Sequence, residues 1–274
     1  MMTWPDLLAR PRPAPTHAIH FGPGAADIAD LWLPAGAGPH RVVLMVHGGC
    51  WQKSIADRTL MNYAAEALRA EGMAVWNIEY RGVDEVGGGY PGTFQDVARA
   101  ADALRDVAGP YHLDLDRVVA FGHSAGGHLA LWLAARRRLP ATSPLRGADP
   151  LPIRAVLNSG GLADLKASAP VTDPDCLAAI MDKLTGPPSA ARPDVFADTS
   201  PAELLPLGVR QISVNGDRDR IAPPLLGAGY AARAVVAGDA AEAVVIAATG
   251  HVELIAPGTA AFTAETDLLK ALLR

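Results

Sequence analysis

Short apolar runs bounded by glycine, proline or polar turn residues recur along the chain, and stretches with helical periodicity separate them. The run Val42-Val43-Leu44-Met45-Val46 has no polar alternation, the pattern of a strand buried on both faces. Read this way, the chain predicts strands over 17–21, 30–33, 41–46, 74–80, 117–121, 153–158, 211–214 and 243–246. Helices are predicted over 57–71, 93–108, 124–137, 224–237 and 260–273. The first two strands flank a Gly-Pro-Gly turn and suit an antiparallel start to the sheet. From residue 41 onward strands alternate with helices, which implies parallel pairing through right-handed crossovers. The expected fold class is therefore α/β: a single domain over 1–274 whose mostly parallel sheet carries helices on both faces.

Two stretches escape the alternation. Residues 1–16 are proline-rich and are expected to cover the surface. Residues 160–205 hold only one short helix candidate, at 176–184, and fall between two predicted strands. An insertion there would lie over one end of the sheet, so a lid or pocket wall is expected.

Bulk composition narrows the classes. The chain has 274 residues, enough to bury a large core without staples. Its net charge of −5 is spread without acidic or basic blocks, which argues against nucleic-acid and anionic-membrane partners. No long apolar run suggests a membrane span. Cys50 and Cys176 have no metal-ligand spacing and do not suggest a disulfide scaffold. With no basic region leading into an apolar core near Met1, a reducing, cytoplasmic setting is the expectation.

The chemistry gathers on loops that follow predicted strands, where parallel sheets bind ligands. Gly122-His123-Ser124-Ala125-Gly126 sits where a strand turns into a helix, so Ser124 is a candidate nucleophile. A serine hydroxyl needs a base, and of the eight histidines only His251 follows the last strand. His47-Gly48-Gly49-Cys50-Trp51 follows the strand ending at Val46, and its glycines leave backbone N–H groups unshielded. The N–H groups of Gly49, Cys50 and Ala125 are the candidate oxyanion donors. Trp51 and His123 are candidate substrate contacts. A carboxylate to orient His251 could be Asp217 or Asp219, both after the strand ending at Val214. No metal-ligand set and no dinucleotide or phosphate-binding glycine motif is present, so no cofactor is expected.

The order Ser124, aspartate, His251 resembles that of the α/β-hydrolase superfamily, and the likeness covers residues 40–274. His47-Gly48-Gly49-Cys50-Trp51 and Gly122-His123-Ser124-Ala125-Gly126-Gly127-His128-Leu129 are similar to the esterase/lipase branch, with its carboxylesterases, feruloyl-esterase-like proteins and kynurenine formamidases. Gly216-x-x-Asp219-x-x-Ala222-Pro223 is similar to prolyl-oligopeptidase catalytic domains, where the aspartate is the triad acid, which implies Asp219 over Asp217. Cys50 departs from the glycine that many lipase-type members carry there. The resemblance implies a serine hydrolase that cleaves small carboxylic esters through an acyl-enzyme intermediate. Arylformamide or amide cleavage by the same triad, small-peptide cleavage and a non-catalytic binding role are the alternatives.

Overall fold

The computed structural model describes residues 1–274. Its centre is one eight-stranded sheet in the order β1-β2-β4-β3-β5-β6-β7-β8. The strands are β1 His17–His20, β2 Ile28–Trp32, β3 His40–Val46, β4 Ala74–Ile78, β5 Leu113–His123, β6 Ala155–Ser159, β7 Arg210–Gly216 and β8 Ala241–Ile246. β2 is antiparallel to both β1 and β4, and every other pairing is parallel. All predicted strands are present. β5 runs further back than predicted, because its start pairs with the beginning of β3 across a register irregularity at Arg41 and Val42.

The helices are α1 Trp4–Leu8, α2 Asn62–Ala70, α3 Gly92–Asp102, α4 Leu104–Ala108, α5 Ala125–Ala135, α6 Leu165–Ser168, α7 Met181–Thr185, α8 Pro224–Val236 and α9 Ala260–Leu272. The single helix predicted over 93–108 is two, α3 and α4, meeting at Ala103. Strand periodicity divides the core between the two sheet faces. Val42, Leu44 and Val46 join Leu129 of α5 and Val97 of α3 on one side. Val43 and Met45 join Leu68 of α2 and Phe262 of α9 on the other. Because both faces are covered, β3 carries the continuous apolar run that marks a doubly buried strand.

The expectation that residues 1–16 merely cover the surface needs correction. Thr3 and Asp6 form a reciprocal capping box, with Thr3 N–H donating to Asp6 Oδ2 at 2.8 Å, and so start α1. Leu7 is fully buried and anchors this short helix to the core. The side chains of Asn62 and Tyr63 on α2 donate to the carbonyls of Pro13 and Arg10 and hold the following segment. No helix is long and apolar enough to cross a membrane.

Candidate active site

The position of Ser124 follows from close packing. β5 ends at His123, α5 begins at Ala125, and Ser124 between them has φ 56° and ψ −122°. A side-chain-bearing residue held at positive φ costs roughly 1–3 kcal/mol, and here the surroundings impose it. A Cβ on Gly122 would collide with the carbonyl oxygen of Gly126, and one on Gly126 would collide with that of Val46. Glycine at both positions lets α5 start directly against β3 and β5. The Ser124 N–H donates to the Ser159 carbonyl on β6 at 2.9 Å, which pins the turn. Ser124 and His251 line one cavity of about 480 Å³.

His251 and Asp219 meet across two loops. The Nδ1–H of His251 donates to Asp219 Oδ2 at 2.6 Å, while Asp219 Oδ1 accepts the N–H groups of Ile221 and Ala222 at 2.8 and 2.9 Å. The carboxylate is therefore fully occupied and its side chain is inaccessible to solvent. With Nδ1 committed to Asp219, Nε2 is the nitrogen left for proton exchange. Asp217 acts on the backbone instead, where its Oδ1 accepts the Thr249 N–H at 3.0 Å and braces the loop that carries His251. The backbone N–H groups of Thr249 and Ala248 hold the Asp217 carboxyl below its ordinary range.

His123, expected to contact substrate, borders the cavity, and one of its two ring nitrogens is engaged by the fold. Its Nε2–H donates to the His251 carbonyl at 3.1 Å, and its ring centroid lies 4.4 Å from that of His251. Burial, and secondarily the neighbouring His251, push its pKa well below the ordinary histidine value, so the ring is neutral.

The loop that carries Gly49 and Cys50 leaves β3 at His47. Gly49, Cys50 and Trp51 take φ values of 110°, 53° and 53°, a run of left-handed backbone that turns the loop back on itself. The N–H groups of Gly49 and Cys50 donate to no group in the protein. Ala125, the first residue of α5, has no intrahelical acceptor for its own N–H and sits at the positive end of the helix dipole. Behind the loop, Glu79 accepts from His47 Nε2 at 2.9 Å and from Lys53 Nζ at 2.7 Å. Burial alone would raise the Glu79 pKa, but His47 and Lys53 together hold it well below the usual carboxylate range. The Tyr80 hydroxyl donates to the His47 carbonyl at 3.0 Å, and the two rings stack 4.2 Å apart. These contacts explain the sharp turn after Val46, and the local sequence marks neither Glu79 nor Tyr80 for this role.

Trp51 corrects another expectation. It is fully buried in the core and does not line the cavity, so it is not a substrate contact. Its Nε1–H donates to His128 Nδ1 at 3.2 Å, and His128 Nε2–H donates to the Thr199 carbonyl at 2.7 Å. Burial lowers the His128 pKa to about 4, which keeps the ring neutral and able to accept from Trp51.

The two cysteines form a disulfide, with Cα atoms 4.8 Å apart. This bond corrects the sequence reading, which saw no sign of a disulfide in Cys50 and Cys176, and the expected reducing setting loses support, because disulfides persist in oxidising surroundings. The bond ties the Gly49 loop to residues 160–205, and Gln52 Nε2 adds a hydrogen bond to the Asp175 carbonyl at 3.1 Å. Within that insert Leu162, Leu165, Leu177 and Leu184 pack into the core, and none of its side chains lines the cavity. Trp4 and Leu8 of α1 line it in their place. No group of three or more His, Cys, Asp or Glu side chains is arranged to hold a metal ion.

Sheet order, the strand-to-helix turn at Ser124 and loop placement together define an α/β-hydrolase fold. Residues 29–225 match the BD-FAE family, and the chain belongs to that family. No curated protein matches the sequence. Among solved structures, the chain is similar to esterase B from Lactobacillus rhamnosis, at TM-score 0.78 and 19% identity, covering 96% of this chain and 87% of that one. It is similar to a truncated carbohydrate esterase from gut microbiota at TM-score 0.73 and 19% identity, covering 93% and 94%. It is also similar to a bacterial heroin esterase at TM-score 0.72 and 24% identity, covering 90% and 80%.

Proposed function

We propose that this protein is a carboxylic ester hydrolase acting on small esters through an acyl-enzyme formed on Ser124. The observation that carries the reading is one shared cavity. Ser124, held at positive φ, lines it together with His251, whose Nδ1 is bound to the buried Asp219 at 2.6 Å. Membership of the BD-FAE family and the likeness to three esterases of known structure support the same class.

In the first step Ser124 Oγ attacks the ester carbonyl while His251 Nε2 takes its proton. Asp219 holds the tautomer and stabilises the imidazolium that forms. The carbonyl oxygen, now an oxyanion, is received by the free N–H groups of Gly49, Cys50 and Ala125. His251 returns the proton to the departing alkoxide, and the alcohol leaves. Water, deprotonated by His251, then attacks the acyl-enzyme; collapse of that second tetrahedral species returns the proton to Ser124 and frees the acid. Turnover of a short-chain p-nitrophenyl ester by the wild type and by Ser124→Ala tests this reading, and a variant that keeps more than about a tenth of wild-type turnover refutes it.

A further inference from the structure

We propose that Trp4 and Leu8 of α1 form the specificity-determining wall of the cavity and restrict it to esters with a compact apolar acyl group. This rests on the esterase reading above and extends it to substrate size. The two residues are four apart on one turn of helix and face the cavity that holds Ser124 and His251. Trp4 lies edge-to-face against both imidazoles, with centroids 6.1 Å from His123 and 6.3 Å from His251. Both side chains nonetheless stay partly open, Trp4 at 36% and Leu8 at 46% exposed. Large apolar groups left uncovered inside a concavity have surface to give to an apolar ligand.

A loose terminal arm could not define a pocket, and this one is fixed along its length. Leu7, between the two wall residues, is fully buried. The Met2 N–H donates to Glu253 Oε1 at 2.5 Å, and Glu253 Oε2 also accepts the Gly250 N–H beside His251. Arg10 donates to the Pro257 carbonyl at 2.8 Å, and Arg12 to Thr59 Oγ1 at 3.1 Å. Ile55 and Leu60 line the same cavity and add apolar surface to that of Trp4 and Leu8, beside the polar Arg12, Lys53, Asp57 and Thr59. Lengthening the acyl chain brings it against Trp4 or Leu8.

The test uses p-nitrophenyl acetate, butyrate and octanoate with wild type, Trp4→Ala, Leu8→Ala and Trp4→Phe, comparing kcat/KM. Fluorophosphonate labelling of Ser124 and a thermal melt accompany each variant. The wild type is expected to prefer acetate or butyrate. Trp4→Ala should lower the short-to-long ratio at least about tenfold, Leu8→Ala should move it the same way, and Trp4→Phe should restore most of it. Labelled, folded variants with an unchanged ratio overturn the wall, as does an equal loss on all three esters, which would mark Trp4 as a mere support for His251. If wild-type Ser124 is neither labelled nor active on any ester, the esterase reading fails and the wall falls with it.

Discussion

Glu79 and His47 form a buried pair 2.9 Å apart beside the loop whose residues Gly49 and Cys50 line the cavity. His47 is the residue from which that loop departs β3, and Glu79 also takes Lys53 Nζ, Arg58 N–H and its neighbour Tyr80 N–H. One carboxylate therefore sets the position of the loop through several donors. Glu79→Gln should lower kcat on short esters by about 10–100-fold with little change in KM, the mark of lost transition-state stabilisation. Glu79→Ala, which strands buried partners, should also cost about 3–5 kcal/mol of stability in denaturant melts.

Asp219 and Asp217 both serve His251, in different ways. Asp219 binds the ring, whereas Asp217 binds the backbone of the loop at Thr249. Asp219→Asn should reduce kcat by about 10³–10⁴-fold through loss of the tautomer. Asp217→Asn should reduce it far less, by about tenfold or under. Steady-state kinetics on one ester distinguish the two, and a reversed order would reassign the acid.

The bond between Cys50 and Cys176 closes a loop across a sequence separation of 126 residues. Long closed loops lose the most unfolded-state entropy, so Cys176→Ser should cost about 2–5 kcal/mol. Reductant should lower the melting temperature of the wild type and leave that of the variant unchanged. Intact-mass analysis after alkylation checks the pairing itself.

His128 is neutral in the folded protein, with its pKa lowered to about 4 from 6.5 by burial. Between those two values the unfolded chain binds the extra proton and the folded one does not, so stability falls as pH drops from 6.5 toward 4. The linkage amounts to roughly 3 kcal/mol, fully lost below that window. His128→Asn should be less stable at neutral pH but show a flatter melting temperature across pH 4 to 6.5. Melting temperatures taken at half-unit steps in both proteins measure it.

The sheet was readable because a doubly buried strand such as β3 writes its burial as an unbroken apolar run. The turn at Ser124 and the loop at Gly49 were readable because close packing leaves local marks: small residues where backbones touch, and a chain break between strand and helix. His251 stood out by its place after the last strand, and its pairing with Asp219 was expected from the resemblance carried by Gly216-x-x-Asp219-x-x-Ala222-Pro223. What escaped depends on contacts between distant residues. Nothing near Cys50 announces Cys176, and nothing near Trp51 announces His128, which turns its indole inward. The α1 strap did leave a local signal in Thr3, Asp6 and Leu7, but proline-rich surroundings masked a helix of one turn. Its role over His251 emerges only when Met2 reaches Glu253.

The central claim is that Ser124, activated by His251, is the nucleophile. Incubation with a fluorophosphonate followed by peptide mass spectrometry measures it most directly, alongside hydrolysis of a short-chain p-nitrophenyl ester. A single adduct on Ser124, lost in Ser124→Ala together with all but a residual fraction of turnover and strongly slowed in His251→Ala, is the predicted result. An adduct elsewhere, or a folded Ser124→Ala protein that hydrolyses the ester at near wild-type rate, would contradict it.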